Sequence, residues 1–221
     1  MKIISVIKAV WTIACVCFLF NACEEGGRAT TGAAVGMFKN SADIGGPKLV
    51  GTASYDESTG TYTLSAGGLN VWGALDQHYY IWNEVKGDFT LTAKVAFEGQ
   101  GVNNHRKIGI MLREALTGNS RCVSLNVHGD GLINLQYRRE TGGITEEVRG
   151  PVYGDNYITL EKVGNIIRMR TATDVYPSEI TGEIEMEFPS TFYLGLFACS
   201  HEADVFDTAY CTNVEFKKIT Q

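Results

Sequence analysis

Proline is scarce in this chain of 221 residues, 4 in all, and only 20% of the residues are charged. Basic residues are outnumbered, 19 Lys and Arg against 25 Asp and Glu, for a formal net charge of −6. That deficit excludes a basic nucleic-acid-binding domain, which needs surplus Lys and Arg to neutralise phosphates. Continuous apolar stretches are short, which excludes a polytopic membrane protein, while an apolar content of 44% excludes intrinsic disorder. The chain has no Gly-x-Ser-x-Gly elbow, no His-x-x-x-His and no Cys-x-x-Cys, so neither a nucleophile elbow nor a compact zinc motif is written locally. No repeat of fixed period appears, which disfavours a propeller.

What is present begins with an address. Lys2 and Lys8 precede an uncharged apolar run from Ala9 to Phe20, and Asn21-Ala22-Cys23 follows. A helix of about 12 residues rises only about 18 Å, short of the ~30 Å hydrocarbon core, so the run reads as a signal-peptide core. Its end, small Ala22 before Cys23, resembles the lipobox of bacterial lipoproteins, with Phe20 where that family prefers Leu. The resemblance implies acylation of Cys23, which becomes the first mature residue and an anchor in the membrane. Glu24-Glu25 resembles the acidic export signal that sends lipoproteins of some Bacteroidetes to the outside of the outer membrane. The expected location is therefore the outer membrane, facing the cell surface or the periplasm.

Residues 23–40 are Gly-rich, small and aperiodic after the acidic pair, as in a flexible tether, and one domain is expected over 41–221. Losing residues 1–22 removes two lysines and no acid, leaving 17 basic and 25 acidic residues and a net charge of −8.

From about Asp43 the pattern alternates with period two, broken by turn residues every eight to twelve positions. Strands are predicted over Gly60–Ala66, Tyr79–Val85, Phe89–Phe97, Lys107–Arg113, Cys122–His128, Ile133–Arg139, Thr145–Val148, Tyr157–Lys162, Ile166–Thr171, Ile184–Phe188, Phe192–Cys199 and Tyr210–Lys217. Gly67-Gly68, Gly129-Asp130-Gly131, Gly142-Gly143 and Pro189 are among the separators. Only residues 114–120 hint at helix. Such a chain predicts an all-β, two-sheet antiparallel sandwich of the jelly-roll type.

Alternation also sorts the faces. Ile108, Ile110 and Leu112 point one way in their strand, as do Val123, Leu125 and Val127 in theirs, leaving Arg113, Asn126 and His128 on the other side. With His78, Tyr80, Trp82, Gln136, Arg138 and His201, these residues supply flat aromatic surfaces and planar donors and amides, the chemistry that binds sugar hydroxyls. The competing expectation is that Trp72, Tyr80 and Trp82 fill the core and that Arg113 and Arg138 pair with Glu84, Glu114 or Glu140.

Several segments in order resemble a bacterial family of the concanavalin A-like lectin and glucanase superfamily. They include Asp43-Ile44-Gly45-Gly46-Pro47, Val85-Lys86-Gly87-Asp88-Phe89, Arg106-Lys107-Ile108-Gly109-Ile110-Met111-Leu112-Arg113, Gln136-Tyr137-Arg138 and Gly195-Leu196-Phe197-Ala198-Cys199-Ser200-His201. The resemblance implies a concanavalin A-like jelly roll, found as a lipoprotein and largely of unassigned activity. A non-catalytic glycan-binding domain using the concave sheet face is the first expectation. A glycoside hydrolase or polysaccharide lyase acting through that face, and a protein-binding envelope subunit, are the alternatives.

Glu183, Glu185 and Glu187 alternate in a way that resembles the catalytic strand of family-sixteen glycoside hydrolases, but the central aspartate of that pattern is missing. They are read instead as the solvated side of an edge strand opposite Ile184, Met186 and Phe188. The residues call for no cofactor. A calcium site at Asp130, Asn134 or Asp155 would suit the superfamily, and Gly129-Asp130-Gly131 is equally a hairpin turn. A zinc site would need His78, His128 and His201 to converge. Cys199 and Cys211 could form a disulfide across a turn at 203–208 or remain buried thiols, with Cys122 left over.

Overall fold

The structure is a computed structural model and describes residues 32–220; the signal segment, Cys23 and the two following glutamates lie outside these. Among the described residues there are sixteen strands and no helix. In chain order they are β1 (Asn40–Ile44), β2 (Thr52–Asp56), β3 (Thr61–Gly68), β4 (Val71–Trp72), β5 (Leu75–Asp76), β6 (His78–Lys86), β7 (Asp88–Phe97) and β8 (Lys107–Arg113). They continue with β9 (Cys122–His128), β10 (Ile133–Arg138), β11 (Glu146–Arg149), β12 (Tyr157–Val163), β13 (Ile166–Ala172), β14 (Ile180–Glu185), β15 (Thr191–Cys199) and β16 (Glu202–Ile219).

The first sheet has the order β1-β6-β15-β8-β9-β10-β11 and the second β14-β13-β12-β7-β16-β3-β2, both antiparallel; β4 and β5 form a separate hairpin. Period-two alternation directs Ile81, Ile108, Ile110, Leu125, Leu135 and Leu196 of the first sheet onto Leu64, Leu91, Ile158, Leu160 and Met169 of the second. The second sheet shows the expected contrast between its faces, with β13 alternating buried and half-buried residues along its length. In the first sheet every residue of β8, β9 and β10 is buried, so this sheet is covered on both sides.

Some expectations change. The chain over 32–40 is no free tether: Val35 and Phe38 pair with each other and are buried in the core, so the packed domain includes residues N-terminal to 41. The segment 203–208 is no turn, because β16 runs from Glu202 through a register shift before Asp207 to Ile219. The strand placed at Ile184–Phe188 starts earlier, at Ile180, and Met186 leaves the ladder to bond Asn165. Residues 114–120 form a loop. Glu183, Glu185 and Glu187 are exposed, with Glu183 paired to Arg168, while Ile184, Met186 and Phe188 are buried; β14 is an edge strand of the second sheet.

Among the described residues the thiols, Cys122, Cys199 and Cys211, are free and buried. Cys199 lies on the outer face of the first sheet with its Sγ 3.3 Å from the Gly68 carbonyl, whereas Cys211 is in the core between the sheets, so no bridge joins them. Burial pushes the Cys122 and Cys211 thiols up to about 12 and Cys199 to about 11. A Cys23→Ser chain without residues 1–22 is therefore expected to resist iodoacetamide at pH 8 and to take three adducts, at Cys122, Cys199 and Cys211, once unfolded. Intact mass spectrometry checks this, and native labelling at any of the three would refute it.

Candidate functional site

The outer face of the first sheet is built in rows by strand register. One row runs His78, Cys199, Lys107, His128; the next runs Tyr80, Phe197, Gly109, Asn126, Asn134; a third runs Trp82, Gly195, Met111, Ser124, Gln136. The β6 and β15 side of this face is apolar: Tyr80, Trp82, Met111, Phe197 and Cys199 form a second hydrophobic cluster with Ala42, Ile44 and Val71. The β8 to β10 side is polar, carrying Lys107, Asn126, His128, Asn134 and Gln136, all buried.

A strap crosses this face. Residues 69–76, including the β4–β5 hairpin, are fixed at one end by Lys107 Nζ donating to Asn70 Oδ1 at 2.8 Å. Further along, the Gly73 carbonyl accepts from Arg138 Nη2 at 3.1 Å and from Thr145 Oγ1 at 2.8 Å. At the far end Asp76, 1% exposed, receives Arg113 at 2.8 Å and Arg138 at 2.7 and 3.0 Å. The backbone of Asp76 also meets the loop after β8, its N–H donating to the Gly118 carbonyl at 2.8 Å. Gly45, in the left-handed region at φ 71°, lets the turn after β1 pass beneath this point, since a Cβ there would stand 1.8 Å from the Asp76 carbonyl oxygen.

Arg113 and Arg138 are thus occupied. They pair with Asp76 and not with Glu84, Glu114 or Glu140, and Arg138 further donates to the carbonyls of Gly118, Ser120 and Gly143. Burial pushes the Asp76 carboxyl up, but the two guanidiniums outweigh it and hold the group below the usual carboxylate value. His78 is buried beside Arg113, edge-on to Tyr80 and Phe197, and burial followed by the Arg113 charge brings its pKa down to about 3. Tyr80 stacks on Trp82 at 5.2 Å and donates its hydroxyl to the Met111 carbonyl. These five residues are packed or ion-paired, and they offer a ligand little as they stand.

The other residues singled out from the sequence keep unused polar capacity. Asn126 Nδ2 donates to Asn134 Oδ1 at 2.9 Å, and His128 Nε2 lies 3.3 Å from the same oxygen. Asn126 Oδ1, His128 Nδ1, Gln136 Oε1 and His201 Nδ1 are buried without a partner. Native folds rarely leave such atoms orphaned, because each costs about 1–3 kcal/mol. His201 sits at φ 63° in the turn between β15 and β16.

Sequence reading missed three contributors. His105, exposed, brings its ring within 5.9 Å of His128 and 5.6 Å of His201, so three histidines meet at one margin of the face and His78 is not among them. Lys107, buried next to them, has its pKa lowered by burial to about 8. Burial, then the Lys107 charge, takes His128 to about 3 and His201 to about 4. Trp72, which the sequence allowed as core, is the aromatic on the solvent side of the strap, 41% exposed. The local signal for Lys107 was its alternation with Ile108 in β8; nothing local pointed to His105.

No metal site is organised: among the described residues no group of three or more His, Cys, Asp and Glu is placed to hold an ion. Asp130 caps its own turn by accepting from Leu132 N, Asn134 donates to Glu147, and Asp155 accepts from Thr171 and Thr173, so the three candidate calcium ligands serve separate local bonds.

No protein-family model and no curated protein matches the sequence. Solved structures do. A functionally unknown protein from Saccharomyces cerevisiae superposes with a TM-score of 0.62 at 15% identity, over 82% of this chain and 97% of that one. A family 7 alginate lyase, A1-II′, in complex with product scores 0.46 at 12% identity, over 75% and 82% of the two chains. The exoplasmic/lumenal domain of VIP36, in a form bound to Ca2+ and Man3GlcNAc, scores 0.43 at 10% identity, over 81% and 89%. The chain is an all-β sandwich of two antiparallel sheets of the jelly-roll type.

Proposed function

We propose that this chain is a non-catalytic carbohydrate-binding domain of a lipoprotein, anchored through Cys23 to the outer membrane and taking its glycan on the outer face of the first sheet. The observation that carries the reading is that, of the eight buried polar atoms without partners among the described residues, four lie on Asn126, His128, Gln136 and His201 of this face. Sugar hydroxyls both donate and accept, so a glycan can satisfy amide oxygens and imidazole nitrogens together. His105 and His201 form the accessible margin of this set, and exposed Trp72 supplies a flat surface for a pyranose ring.

Affinity electrophoresis of the unacylated Cys23→Ser chain against a polysaccharide panel tests the reading. Retention is expected on at least one glycan, and Trp72→Ala or Gln136→Ala should weaken it tenfold or more with the midpoint of thermal unfolding held within a few degrees. Folded protein that no polysaccharide retards would end the proposal.

One observation favours a second reading, that of a glycoside hydrolase or polysaccharide lyase. Lys107, with a pKa of about 8 in a buried setting beside three histidines, is placed where proton transfer near neutral pH is feasible. Release of reducing ends or unsaturated products from the same panel, abolished by Lys107→Met, would select this reading over simple binding.

A further inference from the structure

A cavity of about 400 Å³ opens between the two sheets at the end of the sandwich near the β6–β7 turn, away from the strap. Its floor is apolar and comes from three layers of the fold: Phe38 of the N-terminal segment, Leu194 of β15, and Leu91 and Phe216 of β7 and β16. Phe38, Leu91 and Leu194 are core residues, so the floor of this half-open cavity is the edge of the core between the sheets.

The rim is cationic. Lys39, Lys86 and Lys218 line the mouth. Among the described residues the lysines held in ion pairs are Lys48, Lys94, Lys162 and Lys217, and none of the three rim lysines has a carboxylate partner. Glu84 also borders the cavity and offsets one of these charges. Three unpaired lysines around one apolar opening are conspicuous in an acidic chain, because its carboxylates are numerous enough to pair with them elsewhere. Asn83 makes the wall firm: its Oδ1 accepts from Lys39 N and its Nδ2 donates to the Met37 carbonyl, both at 2.9 Å, which fixes Phe38 inward and Lys39 at the rim.

We propose that this cavity binds a single-chain anionic amphiphile, a fatty carboxylate, with the acyl chain along Phe38, Leu91, Leu194 and Phe216 and the carboxylate among Lys39, Lys86 and Lys218. Charge complementarity selects the head group and the apolar lining selects the tail; the volume lies within the ordinary range of small-molecule sites. A flat anionic membrane surface would meet the lysines but leave the inlet unfilled. The site is independent of the glycan face, and either can fail without the other.

The test uses the unacylated Cys23→Ser chain and dodecanoate below its critical micelle concentration, followed by calorimetry, with dodecyltrimethylammonium as the cationic control. Dodecanoate is expected to bind at one site per chain at least tenfold more tightly than the cation. Lys39→Glu with Lys218→Glu should weaken it tenfold or more while retention on any glycan that binds is unchanged. Leu194→Trp, which fills the inlet, should abolish binding; should that variant misfold, the lysine pair still decides. Equal affinity for both amphiphiles, no effect of the lysine changes, or binding to anionic phosphatidylglycerol vesicles without binding to monomeric dodecanoate would each overturn the proposal.

Discussion

Asp76→Asn is expected to lower the unfolding free energy by about 3–5 kcal/mol, the range for removing one partner from a buried ion pair. The substitution keeps the shape of the side chain and removes the only carboxylate among the described residues that Arg113 and Arg138 engage. All three side chains are 0% exposed, so neither guanidinium can recover its loss through water. For a domain of this size the midpoint of thermal unfolding should fall by roughly 10 °C or more. Urea unfolding at pH 7.5 measures the effect. Adding Arg113→Met and Arg138→Met to the same chain should recover part of the loss, because apolar groups of similar volume carry no desolvation cost. A single-variant loss below about 1 kcal/mol would mean that water reaches the arginines and that the strap is not held as described.

Acid should weaken the fold well before its carboxylates titrate. His78 and His128 stay neutral in the folded chain down to about pH 3, whereas an unfolded histidine takes up its proton near pH 6.5. Between those values only the unfolded chain binds the proton, so stability is fully present above about pH 6.5 and is lost as the pH falls toward 3. At pH 5 each histidine accounts for about 2 kcal/mol, roughly 4 kcal/mol for the pair. The charges around them act in known directions: Arg113 and Arg138 oppose protonation of His78 while Asp76 favours it, and Lys107 and His105 oppose protonation of His128 while Asp130 favours it. Half-exposed His201 adds less. Urea titrations at pH 7.5, 6.0 and 5.0 follow the decline, and His128→Gln should remove about half of it. A stability that is flat from pH 7.5 to 5.0 would contradict the buried, neutral state of both rings. A glycan that requires neutral His128 and His201 should bind the folded chain about equally well at pH 7.5 and pH 5, because both rings stay largely neutral above about pH 4.

The sequence by itself determined the sandwich. Alternation is a local property of strands, and Ile108, Ile110 and Leu112 had to face one way whatever lay opposite them. It also marked Glu183, Glu185 and Glu187 as the wet side of an edge strand, because each alternates with a buried apolar neighbour. Alternation did not say what covers the opposite face. Period two gives Tyr80, Trp82, Arg113 and Arg138 an outward direction but does not decide whether that side meets a ligand or is packed and ion-paired. The carboxylate that pairs with both Arg113 and Arg138 comes from 37 and 62 residues away on a two-residue strand too short to show a pattern. The same strap that buries Tyr80 and Trp82 lifts Trp72 to the surface. His105 joined His128 and His201 because the turns before β8 and after β15 end at the same edge of adjacent strands, a consequence of register and not of spacing. The lysine-rimmed inlet likewise gathers residues 39, 86 and 218 from separate parts of the chain. Local periodicity settles which side of a strand a residue takes; whether that side meets water, a partner charge or a ligand depends on segments distant in sequence, and that only the packed fold decides.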